Sequence, residues 1–299
     1  MRMSNCTQQK KTGKPKWLRR SLPTGPEYEK IRHLLQDHHL TTVCREAKCP
    51  NQFECYGKGT ATFMILGERC TRNCRFCAVG HQPDSLPDPE EAGRVAEAVV
   101  LLGLRYAVVT SVTRDDLADG GASIFAETIR TIRRRSPKTL VEVLIPDLQG
   151  NWAALASLLE AGPDVLNHNI ETVSGLYGEV RPQAEYRRSL ALLRQAKEIR
   201  PHLPTKSGIM LGLGESHAEL VQTWQDLLAS GCDILTMGQY LQPSADHLPV
   251  DRFLPPEEFA DLEKEALALG FAGVASGPFV RSSYQAEKLY RQALRRLQR

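Results

Sequence analysis

A chain of 299 residues, 41% hydrophobic and 24% charged, has the composition of a globular protein and is long enough for one large α/β barrel or two smaller domains. A net charge of +3 is too small to make nucleic acid the main partner, and no apolar run approaches the ~18 residues of a membrane span. The N-terminus shows no hydrophobic leader, so the expected setting is cytoplasmic, where clustered cysteines stay reduced and bind metal rather than pair.

Residues 1–20 form a basic arm with Lys10, Lys11, Lys14, Lys16, Arg19 and Arg20 and no acidic residue. It reads as a solvated tail, with a docking arm for an acidic partner or an organelle-targeting segment as the sharper alternatives. Cys6 in this arm is a free thiol. Ala61–Leu66 is a short apolar strand. After a cysteine-rich loop, Asp88-Pro89-Glu90-Glu91 supplies an N-cap, a proline at the first helical position and an acidic first turn, for a helix reaching Leu102 and stopped by Gly103. Tyr106–Thr110 is a strand, Ala122–Arg135 a helix, Leu140–Ile145 a strand, Asn151–Ala161 a helix, Asp164–Asn167 a strand and Arg187–Ile199 a helix. Lys206–Leu211, His217–Ala229 and Asp233–Met237 repeat the pattern. Pro255-Pro256 opens a helix to Leu269, Phe271–Ala275 is a last short strand, and Gln285–Leu297 a last helix. Trp17, Trp152 and Trp224 are expected to pack helices or tail onto the sheet, His168 to be a satisfied core histidine, and Cys232 a buried small hydrophobe.

Some six strand–helix units with apolar strands imply an α/β fold with a parallel sheet and its helices outside. Too few strands are present for a complete eightfold barrel. A partial (β/α)6 barrel is the reading, with an open doubly wound sheet as runner-up. Polar and glycine-rich residues follow the strands: the cysteine loop, Thr110-Ser111 and Asp119-Gly120-Gly121, then Asn167, Asn169 and Glu171, Gly212-Leu213-Gly214-Glu215, and Gln239-Tyr240. In parallel α/β folds that strand-end face carries the active site.

Cys70, Cys74 and Cys77 have the spacing CxxxCxxC. Three thiolates this close hold three corners of a [4Fe-4S] cubane and leave the fourth iron open for chemistry. Zinc more often takes pairs of CxxC, and His81 gives no standard zinc spacing. An open iron can chelate the amino and carboxylate groups of S-adenosyl-L-methionine, and an electron entering the sulfonium then releases a 5′-deoxyadenosyl radical. The barrel would shield that radical. Cys44, Cys49 and Cys55 make a second triplet, for a second cluster that again lacks one ligand, or for a structural zinc knot.

These features resemble the radical S-adenosylmethionine superfamily, including Phe76 just before the last cysteine. Within it the chain is similar to the lipoyl synthase family. The resemblance rests on CREAKCPNQFECY with ATFMILGERCTRNCRFCAV, TSVTRDDLADGGA at 110–122, NHNIETV at 167–173, GIMLGLGE at 208–215 and Gly277-Pro-Phe-Val-Arg-Ser-Ser-Tyr284. It implies a sulfurtransferase that inserts two sulfur atoms at C6 and C8 of a protein-bound octanoyl-lysine, with S-adenosyl-L-methionine and two [4Fe-4S] clusters as cofactors, the second cluster being the sulfur source. It also implies a serine of Arg281-Ser282-Ser283-Tyr284 as fourth ligand to the second cluster. Ser283 is the expected ligand and Ser282 the fallback, against an ordinary N-cap role before the last helix.

Candidate contacts to S-adenosylmethionine are Gly120 and Gly121 at the methionine amino group, or a plain turn there. Asn169 and Glu171 lie at a strand end, with Glu171 toward the ribose. Arg181 would face the methionine carboxylate, and Gly212 and Gly214 would lie against the adenine. The organisation expected is an N-terminal extension at 1–58, the barrel at 59–276 and a C-terminal extension at 277–299, both extensions crossing the open mouth. The partners implied are octanoylated lipoyl domains of dehydrogenase E2 subunits, the H protein of glycine cleavage, and an electron donor such as ferredoxin or flavodoxin. No nucleic acid and no membrane are implied. The rivals are another sulfur-inserting radical enzyme and a non-enzymatic zinc-binding scaffold.

Overall fold

A computed structural model describes residues 14–19 and 25–298. Cys6, Lys10, Lys11 and Arg20 of the basic arm lie outside the described residues. Among the described residues, three α-helices precede the first strand: α1 (Pro26–Asp37), α2 (Val43–Glu46) and α3 (Gln52–Gly57). Strand β1 (Thr62–Ile65) leads into the cysteine loop, which contains a two-residue parallel pair, β2 (Arg69–Cys70) and β3 (Gly80–His81). Helix α4 (Glu91–Leu101), β4 (Tyr106–Ser111), α5 (Ala122–Arg135), β5 (Leu140–Leu144), α6 (Trp152–Glu160) and β6 (Val165–Asn167) follow. A short α7 (Tyr177–Val180) precedes α8 (Tyr186–Ile199). The chain then runs through β7 (Thr205–Leu211), α9 (His217–Ala229), β8 (Ile234–Gln239), α10 (Pro256–Leu269), β9 (Gly273–Gly277) and α11 (Ala286–Leu297).

The main sheet has seven strands in the order β1-β4-β5-β6-β7-β8-β9, each parallel to its neighbours. A doubly wound sheet needs a reversal of strand order, and this order runs in one direction, which leaves the partial barrel. Its outer face is apolar. Ile209, Leu211, Leu235 and Met237 pack with Trp224, Leu227 and Phe259 of α9 and α10 in one buried cluster. The inner face is partly polar. Fully buried Lys206 of β7 donates to Glu142 of β5 at 2.8 Å, and Glu142 also accepts from Asn167 of β6 and from the hydroxyl of Tyr106 of β4. This knot closes the barrel end opposite the cysteines and lets a buried carboxylate and ammonium neutralise each other.

Local chemistry explains the element boundaries. Ser216 and Glu219 form a reciprocal capping box at the start of α9, and Pro256 opens α10 ahead of Glu257 and Glu258. Helix α4 begins later than its sequence suggests. Asp88 accepts from the backbone N–H of Glu90, so it closes the turn before the helix. Glu91 turns inward and accepts from the backbone N–H of Leu66 at 2.7 Å, tying α4 to the end of β1.

Trp224 is fully buried and Trp152 packs on the core, but Trp17 is 42% exposed and does not anchor the tail as expected. Cys232 is a buried hydrophobe. Among the described residues no helix is long and apolar enough to cross a membrane.

His168 is a satisfied core histidine, with Nδ1 2.8 Å from the Ile145 carbonyl and Nε2 2.9 Å from Ser189 Oγ. Burial, aided by the charge of Arg181, lowers its pKa from 6.5 to about 4. The unfolded chain takes up this proton below pH 6.5 and the native state resists until about pH 4, so the contribution is complete above 6.5 and lost as pH falls toward 4. The unfolding free energy from urea titrations across that window should fall by about 2–3 kcal/mol, and His168→Gln should flatten the fall.

Candidate active site

The first cysteine triplet sits in a loop that leaves β1 and is pinned at several points. Arg72, between Cys70 and Cys74, is 3% exposed. Its Nε and Nη2 donate to the two oxygens of Asp115 at 2.7 and 2.9 Å, and its Nη1 donates to Asp147 at 3.0 Å. Asp115 follows β4, and Asp147, fully buried, follows β5. One guanidinium thus fastens the loop to the ends of two strands. Burial alone would lower its pKa, but hydrogen bonds to Asp115 and Asp147 raise it, and Arg72 in turn holds Asp147 below the usual carboxylate range. Thr71 bonds the Thr113 carbonyl, Asn73 N–H donates to Gln183, and Arg75 N–H donates to the Val180 carbonyl. His247 lies 3.0 Å from the Cys77 carbonyl. Cys70 Sγ accepts from the N–H groups of Arg72 and Thr113.

The second triplet is carried by the helices before β1. Cys44 lies in α2, Cys49 in the turn between α2 and α3, and Cys55 in α3. Tyr28 of α1 stacks on Phe53 of α3, with ring centroids 5.3 Å apart. The backbone N–H of Met64 donates to Thr41, and Thr42 bridges Phe63 antiparallel, so this segment covers the free edge of β1. Arg45 and Thr41 both bond Glu68, two residues before Cys70. Cys44, Cys49, Cys55, Cys70 and Cys77 all border one hydrophobic cluster.

The thiols of each triplet sense one another. Cys44 is pushed up to about 11 by burial and then by the charge of Cys49; Cys55 is pushed to about 12 by burial and then by Cys44 and Cys49. Burial pushes Cys77 to about 12, with Cys74 and Cys70 adding to it. Iron would relieve that repulsion. Among the described residues no three Cys, His, Asp or Glu side chains converge closely enough to hold a single metal ion.

The C-terminal segment reaches this place. Asn51, fully buried between Cys49 and Cys55, donates to the Phe279 carbonyl at 2.6 Å, and the Tyr284 hydroxyl donates to Glu54 at 2.9 Å. The segment Arg281-Ser282-Ser283 is thereby strung between the barrel and the helix of Cys55. Ser282 Oγ donates to Asn169 Oδ1 at 2.7 Å, and Ser283 beside it is half-buried. The cap position of α11 is Gln285, in a left-handed conformation, with no capping side chain, so the N-cap role weighed for Ser283 does not hold.

Asn169, Glu171 and Arg181 come together beside the first triplet. Asn169 Nδ2 donates to Glu171 at 3.0 Å, and Glu171 sits in a left-handed conformation, φ 68°, uncommon for a side chain of its size. Burial lifts the Glu171 pKa, and Arg181 opposes that lift. Arg181 Nη1 donates to the Asn169 carbonyl at 3.0 Å and to the Tyr177 hydroxyl at 2.8 Å, and burial raises the Cys74 pKa while the charge of Arg181 opposes that rise. The Arg181 Nε is buried without a partner, the kind of donor that a bound carboxylate satisfies.

The predicted glycines divide. Gly121 (φ 89°) starts α5, and a Cβ there would lie 2.2 Å from Leu66; Gly120 meets Leu148. Both sit in a turn with a side chain close by. Gly212 is pressed on the Arg252 carbonyl and Gln239, with Glu215 accepting from its N–H, whereas Gly214 is open.

Arg72 with Asp115 and Asp147 was missed from sequence, as were Asn51 and Tyr284. Each works through a partner far along the chain, although the arginine within the cysteine motif was itself a signal. An apolar group beside Cys77 was also missed: Phe76, Met210, Leu213 and Val250 pack on Val180, Tyr240 and Leu248.

Residues 64–227 match the family model of the radical SAM superfamily, and residues 3–49 match that of the N-terminal domain of lipoyl synthase. The chain is 70% identical over 292 residues to a lipoyl synthase of Desulfotalea psychrophila, covering 96% of this chain and 98% of that one. It is 58% identical to a lipoyl synthase of Symbiobacterium thermophilum, covering 95% and 88% of the two chains. Among solved structures it resembles the FeFe-hydrogenase maturase HydG of Carboxydothermus hydrogenoformans (TM-score 0.59, 16% identity, 89% of this chain and 60% of that one). It also resembles SuiB of Streptococcus suis bound to S-adenosylmethionine (TM-score 0.55, 10% identity, 73% and 51%). This chain spans between half and two thirds of the length of those two structures, and at such identities the likeness is one of fold.

Proposed function

Because the chain belongs to the lipoyl synthase family of radical S-adenosylmethionine enzymes, we propose that its two cysteine triplets serve one octanoyl substrate from opposite sides of the barrel mouth. The family's reaction is sulfur insertion, so the chain is a sulfurtransferase, with S-adenosyl-L-methionine and [4Fe-4S] clusters as its cofactors. It acts on lipoyl carrier proteins. Our finer reading is two insertions, at C6 and C8 of an octanoyl-lysine, on dehydrogenase E2 lipoyl domains and the glycine cleavage H protein, with a ferredoxin or flavodoxin as reductant. When bound, the two clusters and S-adenosylmethionine supply the radical and the sulfur.

In this reading Cys70, Cys74 and Cys77 hold the first cluster. Arg72 keeps their loop tied to the strand ends, where a cluster held by the three cysteines would bind S-adenosylmethionine through its unligated iron. Arg181, with its unpartnered Nε next to Cys74, orients the methionine carboxylate. Glu171 and Asn169 take the ribose side, Gly214 offers backbone approach, and the apolar group around Phe76 and Tyr240 excludes water. Cys44, Cys49 and Cys55 hold the second cluster, with Ser283 as fourth ligand. The engagement of Ser282 with Asn169 favours Ser283 for that role.

The observation that carries the reading is the double tie between the C-terminal motif and the helix of Cys55, Asn51 to Phe279 and Tyr284 to Glu54. It supports a four-ligand site in a segment also bonded to Glu68 of the first loop. The test is anaerobic turnover of an octanoyl-lysine peptide read by mass spectrometry. The expected product carries two added sulfurs as a dithiol, and loses two hydrogens only when oxidised to the disulfide before analysis. A peptide recovered unchanged while S-adenosylmethionine is consumed would refute the reading.

A further inference from the structure

Gly208 of β7 and Gly238 of β8 are the feature of the barrel interior that the function above leaves unexplained. A Cβ at Gly238 would lie 2.1 Å from the backbone carbonyl oxygen of Val280 and 3.0 Å from the Arg281 guanidinium. A Cβ at Gly208 would lie 2.7 Å from Asn169 Oδ1, 2.8 Å from Ser282 Oγ and 2.8 Å from Thr236 Oγ1. Neither glycine is among those with positive φ, so the backbone at each position tolerates any residue. What forbids a side chain is the segment lying on them. Two adjacent strands have each lost a side chain where residues 280–282 cross the mouth.

We propose that Gly208 and Gly238 form a seat for the C-terminal segment 278–285 and so act as positioning residues that set where its serines stand relative to Cys44, Cys49 and Cys55. The seat holds the segment from the barrel side, while Asn51 and Glu54 hold it from the other through Phe279 and Tyr284. Without the seat, Val280 must rise by more than an ångström to clear a methyl group, and Arg281-Ser282-Ser283 rise with it. The geometry stands alone; its consequence for catalysis rests on the reading that this segment brings the fourth ligand of the second cluster.

The test uses the anaerobically purified, iron-loaded full chain and its Gly238→Ala variant. Two readouts are taken: trypsin cleavage after half-buried Arg281, located by mass spectrometry, and iron and sulfide per chain. The seat predicts cleavage at Arg281 accelerated about tenfold or more while cleavage after exposed Arg187 is unchanged. It also predicts loss of the second cluster with retention of the first, seen as continued cleavage of S-adenosylmethionine without sulfur addition. Protection at Arg281 equal to that of the parent overturns the seat. Exposure of Arg281 with both clusters intact upholds the seat and counts against the ligand reading, so the two failures are distinguishable. Should Gly238→Ala damage the sheet and speed cleavage everywhere, Gly208→Ala decides. Its methyl meets Ser282 Oγ, so adding Ser282→Gly should restore part of the protection at Arg281, and no restoration overturns the seat.

Discussion

Replacing Arg72 by methionine should destabilise the apoprotein by about 3–5 kcal/mol and remove most of the iron bound by Cys70, Cys74 and Cys77. The magnitude follows from what is left behind. Asp147 is fully buried, and its charge is balanced by Arg72 at hydrogen-bonding distance and by Arg188 at 3.7 Å. Without Arg72 the buried carboxylate must take up a proton or remain unpaired, and either costs several kcal/mol. Asp115 is less buried and loses less. Urea unfolding of the apoprotein gives the stability term, and iron analysis gives the effect on the loop. Arg72→Met combined with Asp147→Asn should recover part of the stability, because the stranded charge is gone, but not the iron, because the loop remains untethered. Recovery of both would mean that the tether does not shape the cluster site.

Cys49→Ala separates the two triplets. Sulfur addition should fall roughly a thousandfold or more, as expected when an obligatory group is removed, and about half of the iron should be lost. Cleavage of S-adenosylmethionine should survive, because Cys70, Cys74, Cys77 and Arg181 are untouched. Iron analysis and paired assays of 5′-deoxyadenosine and of thiolated peptide make the comparison. Equal loss of both activities would show that the triplets are not separate sites.

Much of this was legible in local sequence. CxxxCxxC after an apolar run, helix caps such as Ser216 with Glu219, and apolar strands at regular intervals each depend on neighbours a few residues away. The strand order itself was not legible, since periodicity does not say which strand lies beside which. Helix α1 was missed although Tyr28, Ile31 and Leu35 lie on one face at helical spacing, a pattern that would have revealed it. Asp88 looked like the cap of α4, but the competing pull of the Leu66 N–H on Glu91 moved the start of the helix.

Within the candidate site, the cysteine triplets were legible by their spacing, and Asn169, Glu171 and Arg181, singled out from the sequence, lie in contact with one another. The residues that fix them were not legible. Arg72 meets Asp115 and Asp147 across 43 and 75 residues of chain, and Asn51 meets Phe279 across 228. Gly208 and Gly238 have ordinary strand conformations, so nothing in their local sequence separates a glycine required by a crossing segment from one tolerated by chance. At Gly121 and Gly212 a Cβ would meet Leu66 and the Arg252 carbonyl, so packing alone requires glycine there, whether or not the backbone also faces a ligand.

Labelled sulfide offers the sharpest check on two metal centres sharing a single cavity. The chain is reconstituted with iron and ³⁴S-sulfide, freed of loose sulfide, and allowed one anaerobic turnover with octanoyl-lysine peptide. Peptide bearing two ³⁴S atoms, with loss of the iron held by Cys44, Cys49 and Cys55, is the predicted result. Peptide bearing sulfur of natural isotopic abundance, or ³⁴S product from a chain lacking those three cysteines, would contradict it.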